Sequence, residues 1–122
     1  MTTRPALLVV DDDPDYREMI VVMGQMWGIV VLQAEDCGQA LQILDREKNR
    51  IRLILLDYFM PGMEPKQCAA AFIAKAGPSI PIILATAAVD PAARAAELNL
   101  SRWVSKPFDM SVLEVLFEKL AC

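Results

Sequence analysis

The chain contains no histidine among its 122 residues. This absence excludes serine–histidine and cysteine–histidine catalysis, and any metal site with histidine ligands. Cysteine is scarce as well, with three residues that do not form close pairs: Cys37, Cys68 and Cys122. We therefore expect free thiols in a reducing compartment rather than disulfides or a zinc site.

Long apolar runs are also missing, although 55% of the residues are hydrophobic and the mean hydropathy is +0.33. No stretch reaches the roughly 18 apolar residues that a membrane-spanning helix needs. Residues 1–5 lack the apolar core of a signal peptide. These features predict a cytoplasmic protein with no membrane contact.

The chain has no excess of positive charge. Its 12 basic residues are outnumbered by 16 acidic ones, which gives a net charge of −4 and a pI of about 4.7. Because the basic residues are scattered, we expect no direct contact with nucleic acid. The length suits one domain with a substantial core and is too short for two, so residues 1–122 are predicted to form a single domain.

Short apolar segments alternate with helical patterns five times along the chain. The segments are rich in Val, Ile and Leu, which is typical of strands that are covered on both faces. The predicted strands are Ala6–Val10, Ile29–Ala34, Leu53–Leu56, Ile80–Ala85 and Arg102–Ser105. An aspartate is placed to cap three of the helices: Asp13, Asp90 and Asp109. Strand–helix repetition predicts an α/β fold with a parallel sheet and right-handed crossovers.

Polar residues stand at the carboxyl ends of four of these strands, the edge at which open α/β sheets bind ligands. They are Asp11, Asp12, Asp57, Thr86 and Lys106. Carboxylates suit Mg²⁺, a hard cation that prefers oxygen ligands. A lysine supplies a point charge for an anion, and a threonine hydroxyl can donate a hydrogen bond to it. Together these groups predict a phosphoryl-transfer site that acts by positioning and charge stabilisation.

The chain resembles the receiver domain of two-component response regulators over essentially its whole length. Four segments carry the resemblance by their order and spacing: residues 9–13 (VVDDD), 55–62 (LLDYFMPG), 85–87 (ATA) and 105–108 (SKPF). The resemblance implies a flavodoxin-like fold. This is a single doubly wound (βα)₅ domain whose five-stranded parallel sheet has the order 2-1-3-4-5 and carries helices on both faces.

The resemblance also implies a separate role for each of the three acids. Asp57 would be the phosphoacceptor, which takes a phosphoryl group from a sensor histidine kinase or a phosphotransfer protein. Asp12 would bind Mg²⁺ directly and Asp11 mainly through water. Asp57 and the backbone carbonyl of Phe59 would be further ligands of the ion.

Three more positions receive roles from the same resemblance. Lys106 would pair with Asp57 and then with the phosphoryl oxygens, and its peptide bond to Pro107 would be cis. Thr86 would hydrogen-bond the phosphoryl group and shift toward it. Trp103 would act as an aromatic switch that changes rotamer as Thr86 moves, unless it is simply a half-buried core aromatic.

The implied output is a population shift on the face formed by the fourth helix, the fifth strand and the fifth helix. This face would control a downstream effector protein or a fused output domain, and it is a candidate homodimer surface. The domain would not be an enzyme beyond the phosphorylation and dephosphorylation of its own Asp57. Phe59 and Ala88 cannot orient an attacking water, which predicts slow self-hydrolysis.

Two other functions compete with this reading. One is a receiver-like interaction module that does not depend on phosphorylation, which the five polar residues at the strand ends argue against. The other is a phosphohydrolase that uses an aspartyl phosphate. Such an enzyme would normally carry a second acid two residues after the nucleophile, where this chain has Phe59.

Overall fold

The computed structural model describes residues 4–60, 62–106 and 110–121. Strands and helices alternate through the chain. In order they are β1 (Ala6–Val10), α1 (Pro14–Met26), β2 (Val30–Ala34), α2 (Cys37–Glu47), β3 (Ile51–Asp57), α3 (Pro65–Ala76), β4 (Ile82–Thr86), α4 (Pro91–Glu97), β5 (Arg102–Ser105) and α5 (Met110–Ala121).

The strands form one parallel sheet in the order β2-β1-β3-β4-β5, which confirms the predicted topology. Successive residues of β1 point to opposite faces, so that Leu8 and Val10 lie in one buried cluster and Leu7 and Val9 in the other. The first cluster includes buried side chains of α2, α3 and α4, and the second includes those of α1 and α5. Both faces of the sheet are therefore covered, as the apolar strands require.

Aspartate caps set the starts of two helices as predicted. The Asp13 carboxylate accepts hydrogen bonds from the backbone N–H groups of Asp15 and Tyr16 at the start of α1. The Asp90 carboxylate accepts one from Ala93 at the start of α4. In both helices proline occupies the first turn, where its missing N–H has no consequence. The predicted cap at Asp109 and the predicted cis bond at Pro107 lie outside the described residues.

Three strands differ from their predicted bounds for reasons of pairing. β2 begins at Val30, which pairs with Ala6, rather than at Ile29, and β3 continues to Asp57, which pairs with Ala85. β3 begins at Ile51 rather than Leu53, because Ile51 pairs with Ala6 of β1. β4 begins at Ile82 rather than Ile80 and continues to Thr86, whose carbonyl accepts a hydrogen bond from the Lys106 N–H at 2.8 Å. The extension of β4 places Thr86 within the sheet instead of after it.

The expectation of free thiols is wrong for two of the three cysteines. Cys37 and Cys68 form a disulfide with a Cα–Cα distance of 6.0 Å. Cys37 begins α2 and Cys68 lies in the first turn of α3, and these helices pack side by side on one face of the sheet. The two residues are 31 positions apart, so no sequence spacing indicated the pair. Cys122 lies outside the described residues.

None of the helices in the described ranges is long and apolar enough to cross a bilayer.

Candidate functional site

Three carboxylates meet where β1 and β3 end. The register of these neighbouring strands pairs Val10 with Leu56, so the residues that follow lie side by side. One carboxylate oxygen from each of Asp11, Asp12 and Asp57 lies within 4.8 Å of the others. Asp11 is buried, Asp57 is largely buried and Asp12 is exposed to solvent. This set of oxygen donors, open on one side, suits a hard divalent cation such as Mg²⁺.

Lys106 brings positive charge to this cluster from the far side of β4. Its ammonium forms an ion pair with the buried Asp11 carboxylate and lies 3.6 Å from Oδ1 of Asp57. The Lys106 side chain is itself only 18% exposed, so these contacts are largely shielded from solvent. The residue predicted to partner Asp57 therefore bridges two acids and has its shorter contact with Asp11.

The pKa of Asp57 reflects this crowding. This pKa is raised from 3.8 to about 6, mainly because the carboxyl is buried and in smaller part because of the negative charges of Asp11 and Asp12. Lys106 and the backbone N–H of Tyr58 act in the opposite direction but do not offset the rise. The Lys106 ammonium thus does not compensate for the burial of the Asp57 carboxylate.

Thr86 is the last residue of β4 and is fully buried. It pairs with Ser105 in the sheet, and its carbonyl accepts the Lys106 backbone N–H. Its Oγ1 accepts a hydrogen bond from the backbone N–H of Ala88 at 3.1 Å. The hydroxyl therefore ties the end of β4 to the segment that leads into α4, on the same sheet edge as the acids.

The two aromatic residues with predicted roles are both open to solvent. Phe59 is 60% exposed, and its ring stands edge-on to that of Tyr58 at a centroid distance of 4.9 Å. Trp103 is 44% exposed on the edge strand β5, where it pairs with Leu84. Trp103 is therefore not a core side chain in this conformation and has room to change rotamer.

One aromatic residue near the site received no role from the sequence. The ring of Tyr16, in the first turn of α1, lies 4.1 Å from the Lys106 ammonium. Burial raises the pKa of Tyr16, as do the charges of Asp11 and Asp57. The sequence did contain a signal for this contact. Tyr16 lies four residues after Asp12, and a helix that begins directly after the acids has its first turn beside the site.

A second contact that the sequence did not indicate connects the site to α4. The Tyr58 hydroxyl donates a hydrogen bond of 2.7 Å to Oε1 of Glu97. Arg94, on the same helix, lies 3.4 Å from Oε2 of Glu97 and 5.8 Å from the centre of the Tyr58 ring. The residue next to Asp57 is thereby bonded to the helix that follows Thr86.

The model of the family described as "Response regulator receiver domain" matches residues 7–118, which contain every strand but the first residue of β1 and all the acids described above. The chain belongs to the response regulator receiver domain family. Receiver domains are signalling domains of two-component systems, and the chain has their flavodoxin-like architecture.

Similar proteins agree with this assignment. The transcriptional regulatory protein GlrR of Escherichia coli is 33% identical over 116 residues, which cover 93% of this chain and 26% of that protein. The phosphate regulon transcriptional regulatory protein PhoB of Pseudomonas aeruginosa is 36% identical over 106 residues, which cover 84% of this chain and 45% of that protein. The chain thus spans less than half of these curated relatives.

Solved structures show the same architecture. A response regulator receiver protein from Pseudomonas putida superposes with a TM-score of 0.81 at 26% sequence identity, and the match covers 98% of this chain and 99% of that one. The likeness therefore extends over the whole sheet and its helices rather than over one motif.

Proposed function

We propose that this receiver domain is a phosphoacceptor switch in which Asp57 takes a phosphoryl group from a phosphohistidine of a sensor histidine kinase or a phosphotransfer protein. The observation that carries the proposal is the three-acid cluster with Lys106 between Asp11 and Asp57. In the transfer, a carboxylate oxygen of Asp57 forms the new P–O bond as the P–N bond to the imidazole breaks. The imidazole leaves with the electron pair of that bond and takes up a proton.

A divalent cation fits the donor set of this site. Asp12 and Asp57 would hold Mg²⁺ directly, Asp11 mainly through water, and the backbone carbonyl of Phe59 would be a further ligand. The ion would supply charge stabilisation for the transferring group. It would also favour the ionised form of Asp57, against the burial and the neighbouring acids that raise its pKa.

Lys106 and Thr86 are the groups suited to the phosphorylated state. The Lys106 ammonium already lies 3.6 Å from Asp57, so a phosphoryl group on that carboxylate falls within its reach. The Thr86 hydroxyl accepts from Ala88 and keeps its own proton for donation to a phosphoryl oxygen. A shift of Thr86 toward that oxygen would move Ala88 and the segment that leads into α4, and Trp103 would change rotamer with it.

The proposed output surface is the face of α4, β5 and α5. The domain would act through a downstream effector protein or a fused output domain, with no direct nucleic-acid contact of its own, and this face could also form a homodimer. Two relatives named above are transcriptional regulators that are longer than this chain, which supports output through another domain. We place the domain in the cytoplasm, where its kinase partner would present phosphohistidine.

A small phosphodonor tests the proposal without knowledge of the kinase. Incubation with acetyl phosphate and Mg²⁺ should add one phosphoryl group to the intact protein, as measured by mass spectrometry. The addition should be lost with EDTA and in the Asp57→Asn variant. An unchanged mass with Mg²⁺ present would support the phosphorylation-independent module instead, and rapid turnover of many phosphoesters would support a phosphohydrolase.

A further inference from the structure

The Lys106 ammonium lies against the face of an aromatic ring as well as against two carboxylates. The distance of 4.1 Å from Nζ to the centre of the Tyr16 ring is well inside the range of about 6 Å over which a ring attracts a cation. A lysine side chain has four flexible bonds, so its ammonium is poorly fixed by its own backbone. Its position in the site must therefore come from the groups around it.

The Tyr16 ring is held firmly enough to serve as such a group. Its backbone N–H donates to the Asp13 carboxylate in the cap of α1. Its side chain packs against the buried cluster on the α1 and α5 face of the sheet, which includes Leu113 and Phe117 and has Val104 of β5 beside it. Val104 lies two residues before Lys106, so the ring and the strand that carries the lysine pack against the same buried cluster.

The ring differs from the two carboxylates in what happens when a cation and a phosphoryl group enter. Asp11 and Asp57 are the groups proposed to bind the metal and the phosphoryl group, so their contacts with Lys106 must change during the reaction. The ring has no metal-ligating role and can keep its contact with the ammonium throughout. Of the contacts of the Lys106 ammonium described above, it is the one that does not have to change during the reaction.

We propose that Tyr16 is a positioning residue for phosphoryl transfer, in which the face of its ring holds the Lys106 ammonium beside Asp57. The inference rests on the proposed phosphoacceptor function. It concerns the ring, so a Tyr16→Phe variant should retain the effect and a Tyr16→Leu variant, which has an apolar side chain without a ring, should lose it.

The first test compares rates of phosphorylation by acetyl phosphate at saturating Mg²⁺. Tyr16→Leu should be about three- to tenfold slower than the wild type, and Tyr16→Phe should be within about twofold of it. In a Lys106→Ala background, Tyr16→Leu should produce no further loss. A purely structural role for Tyr16 predicts the same loss in both backgrounds, and that result would overturn the proposal.

The second test needs neither phosphorylation nor metal. In the metal-free protein, NMR signals of the Lys106 Cε protons should be shifted upfield by the ring in the wild type and in Tyr16→Phe. Ordinary lysine shifts in the wild type would contradict the proposal even if Tyr16→Leu does not fold. A wild type with shifted signals that takes up no phosphoryl group refutes the proposed function alone. A wild type that is phosphorylated as fast as Tyr16→Leu refutes the inference alone.

Discussion

Lys106 makes its shorter ion pair with Asp11, a buried residue just after β1, although its ammonium also lies 3.6 Å from Asp57. The lysine thus sits on the acids that a divalent cation would use. Its charge repels an incoming cation while stabilising the ionised cluster before the cation arrives. The acids can therefore be neutralised either by Lys106 or by a bound divalent cation.

Replacement of Lys106 by methionine should therefore tighten Mg²⁺ binding, on the order of tenfold, because a nearby positive charge and a competitor for Asp11 are both removed. Calorimetric titration of the unphosphorylated protein measures the affinity. Lys75→Met is a matched control, since Lys75 pairs with Asp45 on the surface, 2.8 Å away, and takes no part in the site. Equal or weaker Mg²⁺ binding in Lys106→Met would contradict this view of the ion pair.

The raised pKa of Asp57 predicts a pH dependence of stability in the metal-free protein. The folded state, with a pKa of about 6, holds more protons than the unfolded state, with a pKa of 3.8, between those two values. The contribution of Asp57 to stability is therefore present at low pH and falls as pH rises from about 4 to 6, by at most about 3 kcal/mol. Asp57→Asn should remove this fall, so that the variant gains stability over the wild type toward neutral pH.

Urea unfolding in EDTA across this pH range measures the difference between the two proteins. The comparison with Asp57→Asn isolates one group from the other acids of the chain. A difference in free energy of unfolding that stays constant with pH would show that Asp57 has an ordinary pKa.

The hydrogen bond between Tyr58 and Glu97 should stabilise the packing of α4 beside the site. Tyr58→Phe removes the donor and should lower the free energy of unfolding by about 1 kcal/mol. The same change in a Glu97→Ala background should have little effect, because the acceptor is already gone. Amide exchange in α4 should be faster in Tyr58→Phe than in the wild type. Additive losses in the two variants would mean that the bond does not form in solution.

The Cys37–Cys68 disulfide should contribute substantially to stability. By the loop-closure argument, a crosslink between residues 31 positions apart restricts the unfolded chain by about 3 to 4 kcal/mol. Dithiothreitol should therefore lower the free energy of unfolding by about that amount. A Cys68→Ser variant is the control, since the reductant should leave its stability unchanged. Full thiol reactivity of the denatured, unreduced protein would show that the bond is absent.

Phe59 should lengthen the lifetime of the phosphorylated state. Its exposed ring lies beside Tyr58, two residues after the acceptor, and offers no group that could orient an attacking water. A Phe59→Asn variant supplies an amide there and should release inorganic phosphate faster than the wild type. Phosphate release after removal of excess donor gives both rates. Equal rates would contradict a shielding role, and Phe59→Leu separates loss of the ring from gain of the amide.

The parts of the structure that the sequence predicts are those fixed by the sheet. Once the apolar strands are recognised, parallel pairing places Asp11, Asp57 and Thr86 at the same edge of the sheet, irrespective of how the helices pack. Strand ends moved by up to two residues, as at β3, because pairing with a neighbour rather than composition decides where a strand begins.

The contacts that the sequence did not predict depend on how helices lie on the sheet. The Tyr16–Lys106 contact joins a helix start to a strand end 90 residues later, and Cys37 meets Cys68 because α2 and α3 pack together. The preference of Lys106 for Asp11 is likewise a matter of side-chain geometry. Periodicity identifies which face of a helix is buried, and it does not identify the partner on that face.

The central claim is that Asp57 itself carries the phosphoryl group, and borohydride trapping tests it most directly. An acyl phosphate is reduced by borohydride, so the protein treated with acetyl phosphate and Mg²⁺ should yield homoserine in place of aspartate at position 57, as read by peptide mass spectrometry. Without Mg²⁺ the peptide should keep its aspartate. Homoserine at Asp11 or Asp12, or a phosphorylated protein with residue 57 unchanged, would contradict the account.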